Sequence, residues 1–334
     1  MAKFFLEPKL NSLLKPGGKP PLVEITFLGT GGAFDSKEKN SSAIIKTAAA
    51  TILVDCGSTV YSELKSKNFV DSIEYVFVTH SHEDHIGSLS TLIYHKYFMQ
   101  GKSVKIECID SLKKRVNSYL VNICNHPKES FSINSNDGVL YKELNMIIHK
   151  IETTGLHCKG FPTGGFVFNF RKSGEDIFII YSGDVNIPIT DVIKDKDLKL
   201  YESLLKCPQN VFIFHESTAM SYPPGYPHCE YQKLDAMADI FPNVYVYHHG
   251  KGETDIINKD FIETRRKLGA IKTAIDFDLN KKLPLVGRYE LKEKLRIQAK
   301  KLKASFDEEF DNVQPKTQDL NIFGRELIIQ ETKL

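Results

Sequence analysis

Residues Thr79-His80-Ser81-His82-Glu83-Asp84-His85 follow directly on an apolar, strand-like segment, Tyr75-Val76-Phe77-Val78. Four metal-binding side chains fall within six residues at the end of that segment. No other stretch constrains the chain as strongly, because such density is hard to explain without a metal. Imidazole and carboxylate suit zinc, manganese or iron. In an extended turn His80 and His82 reach one ion, while Asp84 and His85 swing toward a second. Later apolar runs also end in potential ligands. Gly155-Leu156-His157-Cys158 offers His157, Tyr181-Ser182-Gly183-Asp184 offers Asp184, and Tyr247-His248-His249-Gly250 offers His248 or His249. Neighbouring side chains on a continuing strand point to opposite sides, so His248 and His249 are rivals for one position.

The remaining pattern is one of many short strands with helices between them. Alternating or apolar runs at 23–28, 42–46, 51–55, 146–148, 165–168, 177–181, 211–214 and 244–247 read as strands. Residues 59–67, 86–99 and 111–123 read as helices, the second with Leu89, Leu92, Ile93 and Tyr97 near one face. This pattern predicts two sheets covered by helices, an α/β sandwich. No internal repeat is visible. Lys15-Pro16-Gly17-Gly18-Lys19-Pro20-Pro21 marks residues 1–21 as an N-terminal arm, and 22–280 forms the main domain. Residues 281–334 form a C-terminal extension, with a basic amphipathic helix at 289–303 and a last strand at 320–329.

The 334 residues carry a net charge of +2, which gives no global basic field and weighs against wrapping a large polyanion. Six cysteines without a C-x-x-C pair read as free thiols in a reducing compartment. The first residues are too briefly apolar for a signal peptide, and no run approaches a membrane span. The expectation is a cytoplasmic protein with no membrane partner.

The H-x-H-x-D-H pattern resembles the signature of the metallo-β-lactamase superfamily. That resemblance implies a four-layer αββα sandwich, here with a C-terminal helical extension. It implies that His80, His82 and His157 hold one metal, that Asp84, His85 and His248 hold the other, and that Asp184 bridges them. It also makes Asp55 a hydrogen-bonding partner of a ligating histidine, the alternative being a helix cap near Ser58. The cofactor it implies is a pair of divalent ions, zinc first, with manganese or iron as alternatives.

Three features are similar to the ribonuclease Z-like branch. Phe27-Leu28-Gly29-Thr30-Gly31-Gly32, with Asn40-Ser41-Ser42, resembles its opening. Phe214-His215-Glu216-Ser217-Thr218 resembles its H-E-A-T motif. Pro227-His228-Cys229-Glu230 with the His248–His249 pair resembles anti-Pycsar and related cyclic-nucleotide phosphodiesterases. The resemblance implies a catalytic set of Asp84, His215 and Glu216, in which His215 protonates the leaving oxygen and Glu216 orients it, after attack by a hydroxide shared by the ions. It also implies substrate contacts from Thr30, Gly31, Ser182 and His228, the glycine loop offering N–H groups to phosphate, and a homodimer. The span between His85 and His157 lacks the Gly/Pro-rich arm of ribonuclease Z. A small nucleotide, foremost a cyclic mononucleotide, is therefore the expected substrate. RNA, as in pre-tRNA 3′ processing, is the alternative. A lactonase, a thioesterase and a non-catalytic binder are the readings from other classes.

Overall fold

The structure is a computed structural model that describes residues 3–5, 23–35, 37–47, 49–141, 146–172, 175–219, 226–250, 253 and 271–273. The chain divides at Lys281/Lys282 into two units, and every described residue lies in the first. The helix expected at 289–303 and the strand at 320–329 lie outside the described residues, as does most of the expected arm.

Seven strands form the first sheet in the order of the chain: β1 (Lys3–Phe5), β2 (Val23–Gly29), β3 (Ser42–Thr47), β4 (Thr51–Val54), β5 (Ile73–Phe77), β6 (Val104–Glu107) and β7 (Phe131–Asn134). The first four are antiparallel neighbours. From β4 onward the pairing is parallel. The parallel crossovers carry α1 (Val60–Ser66), α2 (Glu83–Ile86), α3 (Leu89–Tyr94) and α4 (Asp110–Ser118). The second sheet repeats this plan. It comprises β8 (Val139–Tyr141), β9 (Met146–Glu152), β10 (Gly164–Lys172), β11 (Glu175–Tyr181), β12 (Val211–Glu216), β13 (Asn243–Tyr247) and β14 (Ile271–Thr273). Its first four strands are antiparallel and its last three parallel to their predecessors, with α5 (Ile189–Lys196), α6 (Leu198–Lys206) and α7 (Asp235–Ile240) in the crossovers.

Three apolar layers hold this together. One lies between the sheets and is aromatic: Phe77 meets Phe166 edge-on at 5.0 Å and Phe168 at 5.1 Å. Such pairs add roughly 0.5–1.5 kcal/mol to the burial of their area. A second layer packs Leu64, Leu89, Leu92 and Leu112 on the first sheet, and a third packs Ile189, Ile193, Leu204 and Met237 on the second. The result is helix, sheet, sheet, helix, the four-layer αββα sandwich. A buried ion pair joins the two sheets: Lys150 Nζ on β9 donates to Glu107 Oε2 on β6 at 2.9 Å. Asn134 on β7 donates to the same carboxylate and to the Tyr141 hydroxyl on β8. Among the described residues no helix is long and apolar enough to cross a membrane.

Two expected helices are interrupted. The segment read as 86–99 consists of α2, α3 and a π-helical turn at His95–Met99, and the segment read as 111–123 ends in a π turn at Tyr119–Ile123.

Candidate metal centre

The strand β5 delivers Val78, Thr79 and His80 to the rim of the first sheet, where His80 bridges to Thr163 from the second. His82 stands in extended conformation just before α2, and the single turn of α2 aims Asp84 and His85 back at His80. The turn can lie this close to the sheet because Gly57 is beneath it: a Cβ there would sit 1.8 Å from the Asp84 carbonyl oxygen. The loop after β9 brings His157, the end of β11 brings Asp184, and the end of β13 brings His248.

These seven side chains converge. Nε2 of His80 and Nε2 of His157 lie 3.0 and 3.1 Å from Nδ1 of His82. Nε2 of His248 lies 3.1 Å from Asp84 Oδ2 and 3.3 Å from His85 Nε2. One oxygen of Asp184, Oδ2, stands between the groups, 3.5 Å from His85 and His248 and 3.7 Å from His80 and His157. Lone-pair donors around a tetrahedral ion with bonds of about 2.0–2.1 Å sit about 3.3 Å apart, so the donor set fits two divalent ions. Among the described residues the buried Asp184 Oδ1 has no hydrogen-bond partner, which agrees with a role toward a ligand. His249 is turned away: its Nδ1 faces the Ser217 carbonyl at 3.2 Å, and burial pushes it down to about 4. The geometry thus brings His248, and not its rival, into the cluster.

Electrostatics follow from this crowding. Burial disfavours charge on His80 and holds it well below the ordinary range. Burial also opposes charge on His85, but Asp184, Asp84 and Asp55 outweigh it and hold the ring well above that range. Burial alone would raise Asp184, yet His248, His85 and His80 hold it well below the usual carboxylate range. Asp55 accepts from Thr79 N–H and Thr79 Oγ1, each at 2.8 Å, and faces His85 Nδ1 at 2.9 Å. It therefore orients a histidine and does not cap a helix. Asp55 and His248 both adopt left-handed backbone, with φ of 60° and 65°.

Four expectations change in this setting. His215 is fully buried and engaged by backbone on both nitrogens. Nε2 accepts from Ile189 N–H at 3.0 Å, and Nδ1 donates to the Glu216 carbonyl oxygen. It has no free proton to offer and does not join the cluster. His228 takes that place: its Nδ1 is 3.3 Å from Glu216 Oε2 and 3.9 Å from Asp184 Oδ2. Burial opposes its charge, but Glu216 outweighs burial and raises the ring to about 9. Glu216 is fixed for this by Val185 N–H and Cys229 N–H, which both donate to Oε1 at 3.0 Å. Ser182 is not a substrate contact, since its buried hydroxyl donates to the Gly183 carbonyl and accepts from Glu216 N–H. Thr30 and Gly31 do not offer N–H groups to phosphate either, because their donors are bonded to the carbonyls of Glu38 and Lys39. Their loop holds His248 instead: the Thr30 carbonyl accepts from His248 N–H at 2.7 Å, and a Cβ at Gly32 would lie 3.5 Å from the His248 ring.

Thr79, which links Asp55 to the ligand turn, escaped sequence reasoning although it heads the motif. Phe161, stacked on His82, gave no sequence signal at all.

The fold and this site define a metallo-β-lactamase-fold protein of the ribonuclease Z-like branch. The family model described as Anti-Pycsar protein Apyc1 matches residues 23–267, and the chain belongs to that family. It is 36% identical over 87 residues to the Anti-Pycsar protein Apyc1 of Bacillus phage 010DV004, a match covering 25% of this chain and 34% of that protein. It is 39% identical over 74 residues to the ribonuclease Z of Clostridium tetani (strain Massachusetts / E88), covering 22% and 24%. The match thus spans about a third of the phage relative's length and less of the ribonuclease. The metallo-β-lactamase fold protein YhfI of Bacillus subtilis superposes with a TM-score of 0.57 at 16% identity, over 75% of this chain and 95% of that one.

Proposed function

We propose that this chain is a two-metal phosphodiesterase acting on a small nucleotide, foremost a cyclic mononucleotide. The observation that carries the reading is the Glu216–His228 contact of 3.3 Å beside the seven converging ligands. A departing ribose alkoxide needs a proton, and a histidine held by a carboxylate supplies one. Hydrolysis of a thioester, which expels a thiolate, does not require that acid. His80, His82 and His157 would hold one ion and Asp84, His85 and His248 the other, with Asp184 between. Zinc is the first candidate, and manganese or iron would also suit. When bound, the ions would neutralise phosphate charge and lower the pKa of water.

The chain's own residues do the rest. Asp55 holds His85 in one tautomer, and the Thr30 carbonyl fixes His248. Glu216, anchored by two backbone donors, faces His228 Nδ1, which leaves Nε2 to pass a proton to the leaving oxygen. The small net charge and the missing arm support a small substrate over folded RNA. The family supports the same ranking, while the ribonuclease Z match keeps RNA as the second reading. A homodimer belongs to this proposal, to be checked by sedimentation. The test is incubation of metal-loaded protein with cyclic AMP, GMP, UMP and CMP, a pre-tRNA and a lactone. Turnover of at least one cyclic nucleotide, well above the other two, is expected. Trimming of the pre-tRNA with no cyclic-nucleotide turnover would reverse the ranking.

A further inference from the structure

A ligating imidazole works only if its ring is held in one plane, and three rings here are held by their second nitrogen. His80 Nδ1 lies 3.1 Å from Thr79 Oγ1, His85 Nδ1 2.9 Å from Asp55, and His157 Nδ1 3.0 Å from the Pro227 carbonyl oxygen. His82 is built differently. Its Nδ1 faces His80 and His157, and among the described residues no hydrogen bond reaches its Nε2. Its ring lies instead against Phe161, with centroids 4.4 Å apart and planes at 23°. Phe161 also turns an edge relation toward His80, at 6.1 Å and 82°.

Phe161 is itself held. The guanidinium carbon of Arg115 stands 4.6 Å over the phenyl centroid. The same phenyl ring thus meets both the His82 imidazole and the Arg115 guanidinium. Arg115 is an exposed residue of α4, which covers the first sheet, whereas Phe161 belongs to the loop after β9 that also carries His157. The stack therefore ties a cover helix of one half, through a loop of the other half, to a ligand of the first.

We propose that Phe161, clamped by Arg115, is the positioning residue for His82, and that stacking replaces the hydrogen bond the other histidines use. This rests on the two-metal reading above. The face of a phenyl ring is electron-rich and attracts a guanidinium. It also favours an imidazole that has given electron density to a dication over a free one. Metal binding and stacking should therefore reinforce each other, and Arg115 acts without touching the ligand.

The experiment measures metal affinity by chelator competition for the wild type, Phe161→Leu, Phe161→Tyr and Arg115→Met. Loss of an outer partner of a ligating histidine costs about 10- to 100-fold in metal affinity. Phe161→Leu keeps bulk without a π face and is expected to weaken one ion by that factor while the other stays. Phe161→Tyr is expected to retain wild-type affinity. Arg115→Met, an exposed change, is expected to weaken the same ion by about 2- to 5-fold. If Leu and Tyr variants behave alike, or if neither Leu nor Met moves either affinity, the stack has no positioning role. Wild-type protein that takes up no metal would instead overturn the reading beneath it, so the two failures are told apart.

Discussion

His215 and His228 differ in what their ring nitrogens face, and that difference fixes their expected roles. His228→Ala should lower kcat by about 10²- to 10⁴-fold, the usual worth of a general acid, with metal content unchanged. His215→Gln should leave the reaction largely intact and cost roughly 1–3 kcal/mol of stability, because Ile189 N–H and the Glu216 carbonyl lose a buried partner. Steady-state kinetics, metal analysis and denaturant melts on both variants separate the two. A His228 variant that loses an ion would make His228 a ligand, as its closeness to Asp184 and His157 allows. The seven converging side chains were legible because His80 to His85 form a local pattern and the others end apolar runs. The acid was not, because its pairing with Glu216 bridges two segments and depends on which way each side chain turns. Adjacent residues on β12 point to opposite sides, and His215 points into the core while Glu216 points at the centre.

At the scale of elements, α2 is a single turn that would not persist alone, since short helices are marginal without tertiary support. Its support is the Asp55–Gly57 segment: Cys56 N–H donates to the His85 carbonyl at 2.7 Å, and Ser88 N–H donates to the Cys56 carbonyl at 3.0 Å. Gly57→Ala would drive a methyl into the Asp84 carbonyl, so α2 must lift. The expected outcome is a loss of about 1–3 kcal/mol or more, with weaker uptake of the ion served by Asp84 and His85. Denaturation midpoints together with metal titration check it. Strong apolar runs made β2, β3, β4, β5, β9, β10, β11, β12 and β13 legible, though their ends shifted by a few residues. The short edge strands β7 and β8 were not. Each is bounded by polar residues, and their pairing is decided by neighbours distant in sequence. The π turns that end two helices have no period-based signature either.

For the whole molecule, the two sheets share one plan, which the sequence conceals because no residue pattern repeats with it. The seam between them is largely apolar, with the His/Asp cluster at its rim and a buried polar group where Asn134 meets Tyr141 and Lys150 meets Glu107. Removing one partner strands a buried charge, so Glu107→Ala should cost about 3–5 kcal/mol, whereas replacing both with apolar residues of similar size should be neutral or stabilising. Thermal melts of the single and double variants decide this, and an unaffected single variant would show that the pair is dispensable. The seam also has a consequence in time. Among the described strands the path crosses from one sheet to the other once, between Asn134 and Val139. A nascent chain that has emerged only that far carries His80, His82, Asp84 and His85 but none of their opposite numbers. The inner face of that first sheet is covered only by strands made later, so the core between the sheets closes only once the second half has been synthesised. The two proposed ion sets would thus be completed in order, the one closed by His157 and Asp184 before the one that waits for His248.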